Sequence, residues 1–564
     1  MWPKMQSWFD PVEPPFSIPN RQVWGWLVLS LCVPLYFGGV TLLHQLSHAY
    51  IVQDDARQHV VYLARWLNPQ QFAQDLIADY FTAVAPVGYK AIYWAAAQVG
   101  IAPLLLAKLL PLLLSLIATG YLFFCGLYIF PVPLSGFLTT LIFNQQIWLK
   151  SDLVSATPRA FVYPIFAAFL YYLLRRALIP CLLTVLLQGA FFPQLVLVQA
   201  GVLLLRCRRN PAFCLPGLLT AGLVISAYAV TRSEFGAAIT ASQMRQMPEY
   251  GLGGRNEYFG VKPLAFWLLG NSGLRIPVFP SIIWAGFGLP WLRRIRLNQV
   301  TLLGQVLLAS LGSYGLAHLL LLRLHFPSRY TYHTLRIILA AAAGIVLTLL
   351  LKAGWRWLSL ADLSRWRAQV WLGLSAVLAA ALLIIPAVPP LFLQFQGWII
   401  GDAPAVYDYL LAQPPGLLVA SLAPESNNLP AFTKQSTLVG REFALPHHPQ
   451  YYDQFIQRTR DLIQAQYSHK AVDLANFIEQ YGVDFWLLER NAFAADYFSS
   501  QDWLIHSRLQ DTLAEVATQL QQGTQPAILQ VADRCTAVST ERLILLKADC
   551  MQQEFAAIQT QQNF

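Results

Sequence analysis

Long apolar runs separated by short basic clusters make up most of the chain before residue 396. Eleven of these runs are long enough to cross a bilayer, some of them only with tilt. Their approximate bounds are 23–46, 102–130, 134–149, 160–174, 177–190, 191–205, 212–230, 279–292, 299–322, 335–351 and 369–390. The stretch from 177 to 205 is divided because Pro193 lies near its middle and a proline interrupts a helix. The pattern predicts a polytopic α-helical membrane domain of about eleven transmembrane helices over residues 23–395.

The polar segments around these runs predict a different kind of structure. Residues 1–22 form a short polar N-terminus, and two long loops cover residues 47–101 and 231–278. Helices at the membrane surface are expected in the first loop at 72–80 and 84–99. From 396 to 564, amphipathic helical patterns alternate with short β-type patterns, which predicts a soluble α/β domain. Its helices are expected at 451–466, 470–481 and 509–520, and its strands at 417–422, 483–488, 527–531 and 542–546.

Composition supports a membrane location and excludes a water-soluble enzyme. Of the 564 residues, 56% are hydrophobic and 12% are charged, against about 25% charged in soluble domains. Residues 1–398 carry 28 Lys and Arg against 11 Asp and Glu, whereas residues 399–564 carry 10 against 18. The net charge of +9 would suit nucleic acid, but the basic residues lie in clusters between apolar runs. No nucleic-acid partner is therefore expected.

The basic clusters also orient the chain in the membrane. With eleven helices, four clusters fall on one side, which the positive-inside rule assigns to the cytoplasm. They are Arg175/Arg176, Arg206/Arg208/Arg209, Arg293/Arg294/Arg296 and Lys352/Arg356/Arg365/Arg367. The N-terminus is expected inside and the tail outside, in a multi-pass protein of the cytoplasmic (inner) membrane. An oxidising outer compartment would allow Cys535 and Cys550 to form a disulfide, which the sequence leaves open.

The first candidate site consists of the paired acids Asp54 and Asp55, followed by Arg57 and His59. Two adjacent carboxylates repel each other unless a cation, an arginine or a shared proton compensates them. On a helix, Asp55 and His59 share one face, a spacing that can hold a divalent cation or a metal-bound phosphate. The alternative is a solvated helix start whose acids face the positive end of the helix dipole.

Two further turns on the predicted outer side carry charged residues, although the basic residues of the chain otherwise cluster on the predicted inner side. The first holds Asp152, a second acid on the same side, and Arg159, which either reaches lipid headgroups or holds an anion. In the second, Arg329, His333 and Arg336 recur at i, i+4 and i+7, so one helix face would carry a basic stripe descending from the outer surface. A phosphate or pyrophosphate would suit this stripe, with anionic headgroups as the alternative.

The long loop at 231–278 contains Glu249, Arg255 and Glu257 around a glycine cluster. Such a loop could close over a substrate, or it could form an ordered cap without a catalytic part. The glycines match no phosphate-binding pattern, and the chain has no GxSxG, HExxH or Walker-type motif. These three residues are candidates only because of their position.

The layout of the chain resembles that of the GT-C superfamily of membrane glycosyltransferases, which includes protein mannosyltransferases, oligosaccharyltransferases and the aminoarabinose transferase. The paired acids Asp54 and Asp55 open the first long outer loop, as in that superfamily, and Asp152 stands where members often have a second acidic motif. The resemblance extends to the number of helices and to the soluble module that follows the last one. It implies a bacterial enzyme that transfers a sugar from a polyprenyl phosphate or pyrophosphate carrier outside the cytoplasmic membrane, generally with inversion.

The resemblance also implies roles for individual residues. Asp54 or Asp55 would be the catalytic base or a metal ligand. The lipid-linked donor would be held by side chains from several turns: His59, Arg159, Arg329, His333 and Arg336. A divalent cation, Mg²⁺ or Mn²⁺, would be held by Asp55, His59 and Asp152. Two departures stand against parts of this expectation: Asp152 is single rather than part of a DxD pair, and the peptide-recognition motif of oligosaccharyltransferases is missing.

The function expected from these features is sugar transfer to an envelope acceptor, which could be a glycan, a lipid or a protein. A transporter or flippase for a lipid-linked saccharide remains an alternative, as does an inactive scaffold for envelope assembly. Transporters usually place polar groups near the bilayer midplane, whereas the ionisable residues here gather at the outer rim, which favours the enzyme. The expected partners are the lipid-linked sugar donor and membrane lipids, with the oligomeric state left open.

Overall fold

The computed structural model describes residues 7–12, 21–230, 233–260, 262–277, 299–321, 323–360 and 384–562, with scattered positions from 361 to 383. The span predicted at 279–292, and most of the span predicted at 369–390, lie outside these ranges. The described helices before residue 384 are α1 (Arg21–Leu46), α2 (Asp54–His59), α3 (Leu76–Val84), α4 (Val87–Gln98), α5 (Pro103–Ile129), α6 (Pro133–Trp148), α7 (Ser151–Val154), α8 (Val162–Arg175), α9 (Leu178–Phe191), α10 (Gln194–Cys207), α11 (Pro211–Val230), α12 (Ala241–Gln246), α13 (Pro263–Leu268), α14 (Thr301–Leu319) and α15 (Tyr332–Leu360).

Five described helical segments are long and apolar enough to cross a membrane: α1, α5, α11, α14 and a stretch from Pro327 to Arg356 that includes most of α15. Helices α9 and α10 are apolar but shorter. The break predicted at Pro193 is present, because α9 ends at Phe191 and α10 begins at Gln194. These features confirm a multi-pass helical membrane protein, while the count of eleven spans stays a prediction.

Close helix packing brings the candidate site together at one end of the bundle. Helix α6 packs along α15, and a Cβ added at Gly344 would lie 2.4 Å from Thr139 Oγ1 and 2.5 Å from the Thr139 nitrogen. Because only glycine allows such an approach, the two backbones nearly touch at this point. The turn after α6 and the start of α15 are thereby held next to each other.

The segment after residue 384 forms an α/β module. Its helices are α16 (Pro389–Leu393), α17 (Pro404–Leu411), α18 (Leu429–Thr433), α19 (Pro449–Tyr467), α20 (Ala471–Tyr481), α21 (Asp502–Ile505), α22 (Gln510–Gln521), α23 (Ala532–Cys535) and α24 (Ala548–Gln562). Its sheet contains β3 (Leu418–Ala420), β4 (Ser436–Thr437), β5 (Phe485–Glu489), β6 (Thr536–Ser539) and β7 (Leu543–Lys547), in the order β4-β3-β5-β7-β6. Strand β3 is parallel to β4 and β5, and β7 is antiparallel to β5 and β6. The expected sheet-containing C-terminal region is thus confirmed.

The structure corrects the sequence prediction at two places and forms the disulfide that the sequence left open. The strand predicted at 527–531 is wrong, because residues Ala527–Gln530 form a 3-10 turn. The surface helix predicted at 72–80 begins at Leu76, because the Asp75 carboxylate caps it by accepting the Ile77 and Ala78 backbone N–H groups. The disulfide between Cys535 and Cys550 is formed, and it joins α23 to α24.

A small two-stranded sheet joins the first loop to the start of the C-terminal module. Strand β1 (Ile51–Gln53) pairs antiparallel with β2 (Trp398–Ile400). Just before β2, the fully buried Gln396 donates to the Trp148 carbonyl at the end of α6 and to Thr41 of α1. The strand that leads into the paired acids is therefore fixed by the linker between the two parts of the chain.

Candidate functional site

The paired acids occupy the first turn of α2, directly after β1. Gln53 caps this helix by accepting the Ala56 backbone N–H at 3.1 Å, and the Asp54 backbone N–H donates to the Gly397 carbonyl at 2.9 Å. Gly397 has a positive φ of 70°, a conformation that only glycine adopts readily. The linker turn thus sets the position of Asp54, and the helix dipole favours negative charge at this end of α2.

The two acids have different surroundings, although they are neighbours in sequence. Asp54 contacts Arg57, and its side chain remains 45% exposed. Asp55 pairs with Arg159, whose Nη2 lies 2.5 Å from Asp55 Oδ2. Arg159 belongs to the 3-10 turn Pro158–Phe161 that leads into α8, so this ion pair joins the first loop to the turn before α8.

These surroundings move the two pKa values in opposite directions. Burial and the negative charge of Glu442 raise the pKa of Asp54 above its usual range, with Arg57 partly opposing them. Burial also favours the neutral form of Asp55, but Arg159 and His59 outweigh it and lower the pKa of that carboxyl. A pair of carboxyls with separated pKa values divides naturally into a base and a permanent anion. Asp54 is the better proton acceptor of the two, and Asp55 is the partner that stays ionised.

His59 follows the acids on the same helix and packs edge-on against Phe81, with 5.3 Å between the ring centroids. Burial, together with the positive charges of Arg159 and Arg329, lowers its pKa to about 4, although Asp55 opposes the shift. The imidazole is therefore neutral at physiological pH.

Asp152, in α7, lies at the centre of a second cluster and is completely buried. Arg336 Nη1 donates to both of its carboxylate oxygens, at 3.1 and 2.9 Å. The hydroxyls of Tyr163 and Tyr332 also donate to it, and His333 Nδ1 lies 3.5 Å away. Burial opposes ionisation, yet these partners hold the pKa of Asp152 well below its usual range. All the acceptor capacity of this carboxylate is used by the protein itself.

The predicted basic stripe is interrupted in the structure. Arg329 lies in a separate 3-10 turn, Pro327–Tyr330, and α15 begins only at Tyr332. His333 and Arg336 therefore point to Asp152, whereas Arg329 interacts electrostatically with Asp55, Arg159 and Arg275. Thr331 ends this turn, with a φ of −111°, so the turn and α15 are separate elements.

Positive charge exceeds negative charge where the two clusters meet. The Arg336 guanidinium lies 3.7 Å from the centroid of the Tyr332 ring, and the Arg275 guanidinium lies 5.0 Å from the same ring. Lys150, just before α7, interacts electrostatically with Arg275, Arg336 and Asp152. The cations of this region are Lys150, Arg159, Arg275, Arg329 and Arg336, and its carboxylates are Asp55 and Asp152. Within the described part of the chain, Lys150, Arg275 and Arg329 form no ion pair with a carboxylate, so the region carries an uncompensated positive charge.

Arg275 reaches this region because the long second loop docks on the turn before α15. The Ser328 backbone N–H donates to the Asn271 carbonyl at 3.1 Å, and Tyr314 of α14 donates to the Ser272 carbonyl at 2.9 Å. Arg275 itself has a positive φ of 50°, which is uncommon for a residue with a side chain. The loop is thus fixed at the point where it delivers a cation.

The three loop candidates have separate environments. Arg255 donates to Glu442 of the C-terminal module at 2.7 Å. Glu249 is buried and accepts the Tyr452 hydroxyl at 2.9 Å and the Arg508 backbone N–H at 3.1 Å. Glu257 has no side-chain partner among the residues that the structure describes. Only Arg255 reaches the neighbourhood of the paired acids.

The proposed metal ligands do not form a metal-binding set. Across the described ranges, no group of three His, Cys, Asp or Glu side chains is arranged to hold a metal ion. The observed pairing gives a reason, because Arg159 binds Asp55 and Arg336 binds both oxygens of Asp152. A divalent cation held by Asp55, His59 and Asp152 therefore does not fit this arrangement.

Several residues of the site carry no signal in the sequence. Gln396 and Glu442 lie in the polar tail, and nothing in their local sequence distinguishes them from its other polar residues. Arg275 stands at the end of a long loop whose course the sequence does not give. Tyr332 lies within the basic segment, where an alternation of aromatic and basic residues was the only available hint.

The chain shows similarity to known proteins only at the level of structure. No protein-family model and no curated protein matches the chain. Among solved structures, it is similar to the oligosaccharyltransferase of Archaeoglobus fulgidus in the apo form, with 10% identity and a TM-score of 0.49 over 90% of this chain and 73% of the other. The same enzyme tethered by a disulfide to an acceptor peptide with the NVT sequon gives 10% identity and a TM-score of 0.45 over 89% and 72%. What the fold and the site define is a multi-pass membrane protein with a cationic site beside an acidic pair.

Proposed function

We propose that this protein is a membrane glycosyltransferase of the GT-C type. It takes a sugar from a polyprenyl phosphate or pyrophosphate donor and transfers it to an envelope acceptor on the outer face of the cytoplasmic membrane. The observation that carries the proposal is the uncompensated positive charge around Arg275 and Arg329, which interacts with Asp55, the sequence neighbour of the partly exposed Asp54. An anionic leaving group and a base are the two requirements of such a transfer.

This arrangement supports the following reaction. The acceptor hydroxyl attacks the anomeric carbon of the sugar, and the bond between that carbon and the phosphate oxygen breaks. The phosphate departs with the bonding electron pair, while Asp54 takes the proton of the hydroxyl. Attack from the face opposite the phosphate inverts the anomeric centre.

The cations have different parts in this reaction. Arg329, Arg275 and Lys150 have no carboxylate partner in the described structure, so they would bind the donor phosphate directly, with Arg159 and the neutral His59 at the edge of the same site. Guanidinium groups suit this role because their fork of donors matches phosphate oxygens. Arg336 and His333 are occupied by Asp152, so they would act on the donor through the position of Tyr332.

The proposed orientation has independent support. Disulfides such as Cys535–Cys550 form in oxidising compartments, which agrees with an outer location of the C-terminal module. The basic clusters of the membrane part favour the same orientation. Both observations favour a periplasmic or extracellular site that a lipid-linked donor reaches from the outer leaflet.

The test is sugar transfer by the purified protein in lipid vesicles. Short-chain polyprenyl phosphate and pyrophosphate sugars are supplied with candidate acceptors, and release of the polyprenyl carrier is measured by mass spectrometry. Asp54→Asn should reduce release roughly 10²–10⁴-fold, the usual contribution of a general base. Asp79→Asn is the matched control, because Asp79 lies in the same loop, is 47% exposed and is likewise paired with an arginine.

Two outcomes would contradict the proposal. Equal activity of Asp54→Asn and the wild type would remove Asp54 from the reaction. Movement of the intact donor across the bilayer without release of the carrier would instead identify a flippase.

A further inference from the structure

Glu442 of the C-terminal module binds groups from both long outer loops. It lies in the 3-10 turn Arg441–Phe443, and its side chain is 9% exposed. Its Oε2 accepts from Gln58 of α2 at 2.6 Å and from Arg255 of the second loop at 2.7 Å. Its Oε1 accepts from Arg441 at 3.1 Å. A single carboxylate therefore ties three segments together beside the paired acids.

The same carboxylate also shares a cation with Asp54. Arg57 contacts Asp54 through Nη2, which lies 3.9 Å from Glu442 Oε1, and Arg57 Nη1 donates to Asn428 at 2.6 Å. The Arg57 side chain is 7% exposed, whereas that of Asp54 is 45% exposed. One buried guanidinium thus stands between a buried carboxylate and an accessible one.

This sharing has a direct consequence for Asp54. Charges that are shielded from water interact more strongly than charges in solvent. With Glu442 present, the positive charge of Arg57 is divided between two acids. Without it, Asp54 would be the only carboxylate facing Arg57, and its negative charge would be more fully neutralised.

We propose that Glu442 is a positioning residue of the transfer site: by sharing Arg57 with Asp54, it leaves Asp54 able to take the proton of the acceptor. The inference rests on the proposed function. It adds that the site is complete only when the C-terminal module and the second loop are docked on α2, since Arg255 and Gln58 hold the Glu442 carboxylate in place.

The experiment measures kcat and KM for donor and acceptor in four variants. Glu442→Gln keeps the size of the side chain and removes its charge, and it should lower kcat about 10-fold, less than the roughly 10²–10⁴-fold attributed to a general base. The KM values should change little, because Glu442 touches neither substrate. Glu442→Asp keeps the charge and should retain most of the activity. Glu489→Gln is the matched control, because this carboxylate of the same module binds Tyr497 instead and its loss should leave kcat unchanged.

The decisive variant is the double substitution Glu442→Gln/Arg57→Gln. If Glu442 acts through Arg57, removing the arginine as well should release Asp54 and restore part of the lost kcat. A merely structural role predicts a deeper loss in the double variant. If Glu442→Gln alone fails to fold, the single variant Arg57→Gln decides, because Glu442 then keeps its bonds to Gln58 and Arg255. If Arg57 only restrains Asp54, kcat of Arg57→Gln should stay within about tenfold of the wild type, and a larger loss would overturn the inference.

Three results would overturn the inference: an unchanged kcat in Glu442→Gln, a change confined to KM, or a further loss of kcat in the double variant. Each is distinct from a failure of the proposed function. If the proposed function is wrong, the wild type itself would release no carrier, and no variant could be compared with it.

Discussion

Breaking the enclosed ion pair between Asp152 and Arg336 should strongly destabilise the protein, which Asp152→Asn would test. The Arg336 side chain is 4% exposed and that of Asp152 is fully buried. The asparagine preserves the shape of the side chain but leaves a buried guanidinium without a carboxylate. Breaking a buried pair in this way costs about 3–5 kcal/mol, because the remaining charge is uncompensated. The partly exposed pair between Arg65 and Asp79, in which the carboxylate is 47% exposed, provides the comparison, since Asp79→Asn should cost about 1 kcal/mol or less.

The assay is reversible unfolding of the detergent-solubilised protein, followed by tryptophan fluorescence. The double variant Asp152→Asn/Arg336→Met should recover much of the loss, because replacing both partners of a buried pair is often close to neutral. The pH dependence provides a second check. Since the pKa of Asp152 is held well below its usual range, its stabilisation is present above the ordinary carboxyl pKa and disappears only as the pH falls through the lowered value. The difference between wild type and Asp152→Asn should therefore be constant from about pH 5 to pH 8.

Similar losses for Asp152→Asn and Asp79→Asn would refute this reasoning. So would a double variant that is less stable than Asp152→Asn alone, because the isolated guanidinium would then not be the source of the loss.

Three further predictions concern other charges and the disulfide. Arg329→Gln should raise the donor KM about 10-fold by removing a charge-assisted contact to phosphate. The melting temperature should not fall, because Arg329 has no carboxylate partner in the described structure. A lower melting temperature with an unchanged KM would contradict the proposed role of Arg329. Cys535→Ser should lower the free energy of unfolding by about 3 kcal/mol. This is the loss of chain entropy expected for a disulfide that closes a loop across 15 residues. Treatment of the wild type with reductant should give the same loss. His59 has a pKa of about 4 in the folded protein against 6.5 for a free imidazole. The unfolded state therefore binds more protons between these values, and the free energy of unfolding should decrease as the pH is lowered from 6.5 to 4. His59→Gln should flatten that part of the stability curve, and an unchanged curve would show that His59 does not titrate there.

The helices were predictable because their signals are local. A long apolar run implies a membrane helix whatever its neighbours are, and Pro193 divides α9 from α10 at the expected place. The apolar run at Ala527–Gln530 shows the limit of such reasoning, because a short apolar segment is also compatible with a buried turn. There the Ala527 backbone N–H donates to the Ser468 carbonyl at 2.8 Å, a tertiary contact that a local pattern does not contain.

The candidate site was predictable only in its ingredients. Asp54, Asp55 and Asp152 stood out because acids are rare in the turns of this membrane domain. Their partners were not predictable, because pairing depends on which turns meet in space. The spacing of Arg329 and Arg336 suggested one helix face, yet Arg336 pairs with Asp152, whereas Arg329 lies in the separate turn Pro327–Tyr330 and forms no ion pair in the described structure.

The uneven distribution of charge along the chain has a structural explanation in this arrangement. The membrane part supplies an excess of cations at the end that carries the paired acids, and two of these, Arg57 and Arg255, meet a carboxylate of the acidic C-terminal module at Glu442. The other group, around Arg275 and Arg329, meets no carboxylate of the module in the described structure. A soluble domain that had evolved only to neutralise the outer surface would be expected to cover both groups. Compensation on the side of the paired acids alone leaves one cationic region open near them, and the anionic leaving group of the proposed transfer requires such a charge distribution.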